Sequence, residues 1–342
     1  MVAISDSGFV YGEEYIHNSR GMRLFTCHWF PVGRDIKALI FLCHGYAMEC
    51  SVYTRETGVR LARAGYAVYG IDYEGHGKSE GLRCYISNFD DLVTDCEAFF
   101  KKITEQDEYF GKPRFLYGES MGGAVAILVS ERDPSFWSGL VLVAPMCKIS
   151  EKMKPPAFLT SLLKKISHVI PTWKIVPTKD VIENAFKDPI KREEIRSNPF
   201  AYQGQPRLLT ALEMLRASQQ IEKNLKKISL PFLCLHGEAD TVTEPEVSKA
   251  LYTESISFDK SFKLYTGMWH GLTTGEPDQN VELVFGDITD WLDLRAEDSE
   301  VVTSPVLRSS SITPFNSKFS IQEGHLENRD QHNSEFLSQR AS

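Results

Sequence analysis

The sequence predicts an α/β fold, a mostly parallel central sheet with helices on both faces and one inserted helical cap. Three observations predict it. Short apolar runs of strand length alternate with amphipathic segments of helix length, the pattern of strands covered by crossover helices. A serine between glycines, Gly118-Glu119-Ser120-Met121-Gly122, stands where one such strand meets a helix. The alternation stops near Met146 and resumes near Pro231, as an insertion would make it.

Taken in order, Glu13 to Asn18 and Met22 to Phe30 read as strands joined at Ser19-Arg20-Gly21, an opening antiparallel hairpin. Ala38 to Cys43 is an unbroken apolar run, as expected of a strand buried on both faces, and it ends in His44-Gly45-Tyr46. A helix from about Tyr53 to Ala64 is stopped by Gly65. Tyr66 to Ile71 is the next strand, and Asp72 to Leu82 is a glycine-rich loop. Phe89, Leu92, Val93, Cys96, Phe99, Phe100 and Ile103 then share one helical face. Arg114 to Tyr117 is a strand, Ala124 to Val129 reads as helical, and Gly139 to Ala144 is a buried strand closed by Pro145. Residues 1–145 thus form the first part of the sheet body.

Residues 146–228 are lysine-rich and punctuated by Pro155, Pro156, Pro171, Pro177, Pro189, Pro199 and Pro206. They read as several short helices forming the cap. Residues 229–295 complete the body with a strand at Pro231 to His236, a helix around Glu246–Leu251, a strand at Ser261–Tyr265 and a helix around Val281–Leu292. Over 296–342, Ser, Thr, Asn and charged residues dominate. Too little apolar surface remains there to offset the entropy of ordering, so a disordered tail is expected.

Composition narrows the function. The chain of 342 residues is 42% hydrophobic and 25% charged, ordinary for a globular protein in water. A net charge of −8 argues against a nucleic-acid partner bound by phosphate neutralisation. No apolar run reaches the ~18 residues of a membrane span. The start lacks the basic and apolar regions of a secretory signal, so a cytoplasmic location is expected. The seven cysteines show no paired spacing and read as reduced core residues. No Cys-x-x-Cys or His-Glu-x-x-His motif occurs, so neither metal nor cofactor is expected.

The chemistry centres on Ser120. Gly-x-Ser-x-Gly at a strand-to-helix junction is the nucleophile-elbow pattern, in which a sharp turn lifts the hydroxyl above the sheet edge. A serine hydroxyl is a weak nucleophile near neutral pH. It needs an imidazole to take its proton and a carboxylate to orient that imidazole. The α/β-hydrolase order is serine, acid, histidine. Asp240 lies just beyond the strand that ends at His236-Gly237, and His270 follows the next strand in Gly267-Met268-Trp269-His270-Gly271. All three follow strands on the edge where α/β folds place ligands. The oxyanion hole is expected from the backbone N–H groups of Met121 and Tyr46, each such donor worth roughly 10²–10³ in turnover. His44, His76 and His236 do not fit the base's place in the chain and read as loop packing.

In the cap, Phe158, Leu159, Leu162, Leu163, Ile166 and Ile170 share one helical face, with Lys164 and Lys165 elsewhere. Two readings stay open: the face packs over the pocket, or it meets a membrane or long acyl chain while lysines meet headgroups.

Five motifs, His44-Gly45-Tyr46-Ala47-Met48-Glu49-Cys50-Ser51, Gly70 through Gly81, Gly118 through Gly123, His236 through Asp240, and Met268-Trp269-His270-Gly271, together resemble the monoacylglycerol lipase family of α/β-hydrolases. The match is closest to its plant branch, which includes caffeoylshikimate esterase-like proteins, and covers about residues 10–295. The resemblance implies serine hydrolysis of monoacylglycerols or lysophospholipids, with the cap forming an acyl tunnel. It assigns Ser120, Asp240 and His270 to the triad and the amides of Tyr46 and Met121 to the oxyanion hole. Ala47 stands where plant members usually carry a second glycine, and Glu119 where mammalian relatives carry histidine, so the mammalian substrate preference does not transfer. The expected activity is cleavage of carboxylic esters through an acyl-serine. The alternatives are a phenolic ester such as caffeoylshikimate, acyl transfer to an alcohol, and a non-catalytic small-ligand receptor on the same scaffold.

Overall fold

The computed structural model describes residues 4–6, 8–148, 156–175 and 180–303. The chain opens with β1 (Ile4–Asp6), β2 (Phe9–His17) and β3 (Arg23–Pro31), and then runs β4 (Leu39–Cys43), α1 (Arg55–Arg63), β5 (Ala67–Ile71), α2 (Phe89–Thr104), β6 (Arg114–Glu119), α3 (Met121–Arg132) and β7 (Gly139–Val143). Four helices follow: α4 (Ala157–Ser167), α5 (Val181–Ala185), α6 (Pro189–Ser197) and α7 (Leu208–Asn224). The body closes with β8 (Phe232–Gly237), α8 (Pro245–Glu254), β9 (Lys260–Tyr265) and α9 (Asp278–Thr303).

The strands form one sheet of nine in the order β1-β2-β3-β5-β4-β6-β7-β8-β9. The pairings from β1 to β5 along that order are antiparallel, and those from β5 onward are parallel. This is the α/β-hydrolase arrangement that the strand–helix alternation predicted. Its apolar runs are continuous because both faces are covered. Phe41, Leu116 and Leu142 pack under α2, α3 and α8, whereas Ile40, Tyr117 and Val141 pack under α1 and α9. Full burial of each such side chain contributes roughly 1.5–3 kcal/mol, so the sheet interior dominates the core.

Parallel register brings the ends of the central strands level. Cys43 lies beside Gly118, Glu119 beside Val143, and Val143 beside Leu235. The loops that leave β4, β6, β7 and β8 therefore emerge on one edge.

Several boundaries differ from the sequence reading. The hairpin strands start earlier, at Phe9, and β1 adds a strand that three residues of mixed polarity did not announce. The last helix begins at Asp278 and runs to Thr303, so residues 296–303 are helical where an unordered tail was expected. Extending an existing helix costs far less than starting one, and buried Ala296 keeps the apolar face going past Leu292. The rest of the expected tail lies outside the described residues, as do 149–155 and 176–179 of the expected cap. Within that insertion, proline marks a helix start where it can: Pro189 occupies the first turn of α6, and Asp188 caps it by accepting from Ile190 N.

Candidate active site

Ser120 is the hinge between β6 and α3, with φ 53° and ψ −118°. This is a sparsely populated conformation for a non-glycine residue, and the surrounding chain must over-determine it. Three hydrogen bonds fix its backbone: Ser120 N donates to Val143 O at 3.0 Å, and Ser120 O accepts from Met146 N at 2.9 Å and Gly123 N at 3.0 Å. Close packing explains the flanking glycines. A Cβ on Gly122 would lie 1.9 Å from the Cys43 carbonyl oxygen, and one on Gly118 would lie 2.4 Å from that of Gly122. Ser120 stands at the N-terminus of α3, where free N–H groups favour negative charge.

Asp240 and His270 arrive from the loops after β8 and β9. His270 Nδ1 lies 2.7 Å from Asp240 Oδ2. The carboxylate is buried and also accepts from Val242 N at 2.7 Å, Thr243 N at 3.1 Å and Thr243 Oγ1 at 3.0 Å. Burial alone would raise its pKa. The charge of His270 and the contacts with both His236 and His270 outweigh burial and hold the acid well below the usual carboxylate range.

The loop after β4 faces Ser120, since a Cβ on Gly45 would lie 3.5 Å from the Ser120 Cβ. Among the described residues, neither the Tyr46 nor the Met121 backbone N–H has a protein acceptor. Glu49 shapes this loop. Its carboxylate accepts from Ser51 N at 2.6 Å and Tyr53 N at 2.7 Å, and from the insertion's Asn198 Nδ2 at 3.0 Å. Ala47 adopts φ 69°, and its carbonyl accepts from Tyr202 N at 2.8 Å.

Ser120, Met121, Tyr46 and His270 line one cavity of about 620 Å³. Among the described residues no hydrogen bond joins Ser120 to His270. Such bonds often tighten only when substrate is present. The rest of the lining is mainly apolar: α4 and α7 contribute Leu159, Leu163, Leu208, Leu212 and Leu215, and Met48, Val143, Phe186, Val242 and Val247 come from other parts of the chain. The amphipathic face of α4 thus divides. Leu159 and Leu163 look into the cavity, while Phe158 is 76% and Leu162 51% exposed.

His44, His76 and His236 are buried, and one of them has a further contact. His44 lies tilted against the Tyr73 ring and His76 meets that ring edge-on beneath the β4 loop; burial lowers them to about 4 and about 3, with repulsion from His44 added for His76. His236 was read as loop packing alone. It also touches the acid, with Nε2 3.0 Å from Asp240 Oδ2 and 2.7 Å from Thr243 O, while Nδ1 meets Ser248 Oγ at 2.7 Å. The sequence reading also missed Thr243, which bridges Asp240, His270 and Ala144 O. No pattern in the sequence marks such contacts: the bend after β8 folds Asp240 and Thr243 back onto His236, while Ala144 and His270 arrive from other strand ends.

Among the described residues there is one metal-like grouping: ligand atoms of His44, Cys50 and Asp72 lie within 4.8 Å of one another. Asp72 is committed to the backbone, accepting from Cys50 N at 2.8 Å and Lys78 N at 2.9 Å. The group serves as a hydrogen-bonded floor under the β4 loop.

The profile of the Hydrolase_4 family, described as serine aminopeptidase, S33, matches residues 34–278. The chain is 37% identical over 290 residues to the caffeoylshikimate esterase of Arabidopsis thaliana, covering 84% of this chain and 87% of that one. It is 30% identical over 291 residues to the monoglyceride lipase of Homo sapiens, covering 85% and 93%. In structure it is similar to a soluble variant of monoglyceride lipase from Saccharomyces cerevisiae, with TM-score 0.73, 21% identity, and coverage of 82% and 94%.

Proposed function

Because this chain belongs to the Hydrolase_4 family and is a carboxylic ester hydrolase, we propose that it cleaves monoacylglycerols or closely similar lipid esters through an acyl-serine. The observation that carries this reading is the 2.7 Å contact between His270 and Asp240 beside the cavity that Ser120 lines. Ser120 Oγ attacks the ester carbonyl carbon while His270 Nε2 takes its proton. The amides of Tyr46 and Met121 receive the oxyanion. The C–O bond to the alcohol then breaks, and His270 returns the proton to the departing oxygen. A water molecule repeats the sequence on the acyl-serine and frees the acid. Asp240 stays ionised throughout and holds the imidazole in the tautomer with Nδ1–H.

The apolar lining from α4 and α7 supports an acyl chain as the larger part of the substrate, and the cavity falls within the roughly 300–1,000 Å³ of small-molecule sites. Residues 146–228 act as the cap over that cavity. The exposed Phe158 and Leu162 beside Lys164 and Lys165 support contact of the cap with a lipid surface. Among the described residues, no helix is long and apolar enough to cross a membrane.

Ser120→Ala should abolish both hydrolysis of 2-monoacylglycerol and labelling by a fluorophosphonate probe. Labelling retained in that variant would overturn the assignment. A second reading, a hydroxycinnamoyl ester as substrate, is favoured by the 37% identity to a caffeoylshikimate esterase. Turnover across monoacylglycerols, lysophospholipids and hydroxycinnamoyl esters separates the two.

A further inference from the structure

Glu119, the residue before Ser120, holds an acceptor that the protein leaves open. It is 5% exposed, yet it lines the cavity together with Tyr53. Its Oε1 accepts from Tyr117 Oη at 2.8 Å and Thr273 Oγ1 at 2.7 Å, while Oε2 accepts only from Tyr53 Oη at 3.2 Å. Among the described residues no Lys, Arg or His pairs with it. A carboxylate offers about four lone-pair sites, so one site on Oε2 is unfilled.

Several other polar groups in the cavity wall are already engaged. Lys148 Nζ meets Glu222 at 3.3 Å, Thr160 Oγ1 donates to Pro156 O at 3.3 Å, and Thr243 Oγ1 lies within hydrogen-bond distance of both Asp240 Oδ2 and Ala144 O. A buried carboxylate oxygen next to the nucleophile, with one donor in place and room for another, is suited to accept a hydrogen bond from a bound molecule. The acyl chain of an ester brings no donor. The alcohol portion does, when it carries a second hydroxyl.

We infer that Glu119 Oε2 receives a free hydroxyl on the alcohol portion of the ester, which makes Glu119 the residue that selects polyol esters over simple alkyl esters. This rests on the ester-hydrolase reading and adds the chemical class of the leaving group. A glycerol-like or cyclic polyol satisfies it. The acyl chain then lies among the leucines of α4 and α7, and the alcohol lies on the Glu119–Tyr53 side.

The test compares glycerol monooctanoate with propyl octanoate, which share the acyl chain and differ in the two free hydroxyls. A hydrogen bond to a charged group predicts that the wild-type enzyme favours the glycerol ester by about 10- to 100-fold in kcat/KM. In Glu119→Gln the ratio should fall to within about threefold of one while propyl octanoate is still cleaved. Tyr53→Phe keeps the carboxylate and opens a second position on Oε2, so its ratio should match or exceed the wild-type value. Three results would overturn the inference: no preference in the wild-type enzyme, equal losses on both esters in Glu119→Gln, or a collapsed ratio in Tyr53→Phe. The wild-type comparison and Tyr53→Phe decide the matter even if Glu119→Gln does not fold. If neither ester is cleaved, the lipid-ester reading itself fails. If both are cleaved equally, only the role of Glu119 does.

Discussion

His270 Nδ1 lies 2.7 Å from Asp240 Oδ2, and two backbone amides, those of Val242 and Thr243, hold the other oxygen of that carboxylate in place. The acid is therefore anchored by the main chain before it meets the imidazole. Asp240→Asn keeps an acceptor for the amides but turns an NH₂ toward Nδ1, which then has to act as acceptor. The tautomer left on His270 carries its proton at Nε2, where the base is needed. A loss in kcat of about 10⁴, without a comparable change in KM, is expected from such an exchange. Steady-state hydrolysis of a p-nitrophenyl ester measures it, and a loss under about tenfold would remove Asp240 from the mechanism.

Two buried carboxylates should give stability opposite slopes with pH. Asp240 is held below its ordinary value. Its contribution is complete above the unfolded carboxylate value of about 3.9 and is lost as pH falls below that. Asp72 is pushed up to about 7, first by burial and then by the charge of Glu49. The folded state therefore binds its proton more tightly. Stability from Asp72 is complete below about 3.9 and is lost as pH rises through about 7. Asp72→Asn sets an NH₂ against one of two backbone donors, so it destabilises at every pH, but its penalty should shrink between pH 5 and pH 8. The penalty of Asp240→Asn should stay flat over that range. Urea midpoints for both variants at three pH values test this, and a growing Asp72→Asn penalty would contradict it.

The parts of this site differ in how visible they are in the chain. Ser120, Asp240 and His270 can be found because each follows a strand on the same sheet edge, and strand ends are marked by apolar runs stopping at glycine. The fold class is legible for the same reason, since burial on both faces forces continuous runs such as Leu39–Cys43. Hydrogen bonding across the chain leaves no such trace. Glu119 meets Thr273 and Tyr53 only because separate loops converge, and Asp240 meets His236, four residues earlier, only through the bend of the chain after β8. The division of α4 was equally hidden. Helical periodicity groups Phe158 with Leu159, and only tertiary packing turns one outward and the other into the cavity.

That division bears on how lipid substrate is reached. Phe158 and Leu162 project from α4, and Val169 and Trp173 just beyond it are 81% and 58% exposed. Apolar side chains flanked by lysines insert at the boundary of headgroups and acyl chains, with attraction to anionic lipid added. Replacing Phe158 and Leu162 together by Asp should lower sedimentation with vesicles containing anionic lipid by about tenfold. Hydrolysis of a water-soluble short-chain ester should be unaffected, because neither side chain lines the cavity. Undiminished vesicle binding would overturn the proposed contact of the cap with lipid.

The last prediction concerns Ala47, whose φ of 69° is one that L-residues adopt at a cost of about 1–2 kcal/mol. The conformation is imposed from outside. Tyr202 N of the insertion donates to the Ala47 carbonyl at 2.8 Å, and Glu49 two residues on gathers the amides of Ser51, Val52 and Tyr53. Glycine at this position has no Cβ to strain, but it adds back about 0.4–1 kcal/mol of unfolded-chain entropy. The difference favours Ala47→Gly slightly, and a rise in Tm of about 1–3 °C is expected. The amide of Tyr46, one residue earlier, should keep its aim because the hydrogen bonds around it do not involve the Ala47 side chain. Activity on a short-chain ester should therefore stay within about threefold of wild type. A fall in Tm would show that strain at Ala47 is already relieved by its surroundings. A large fall in kcat at unchanged Tm would show that the methyl group itself positions the Tyr46 amide.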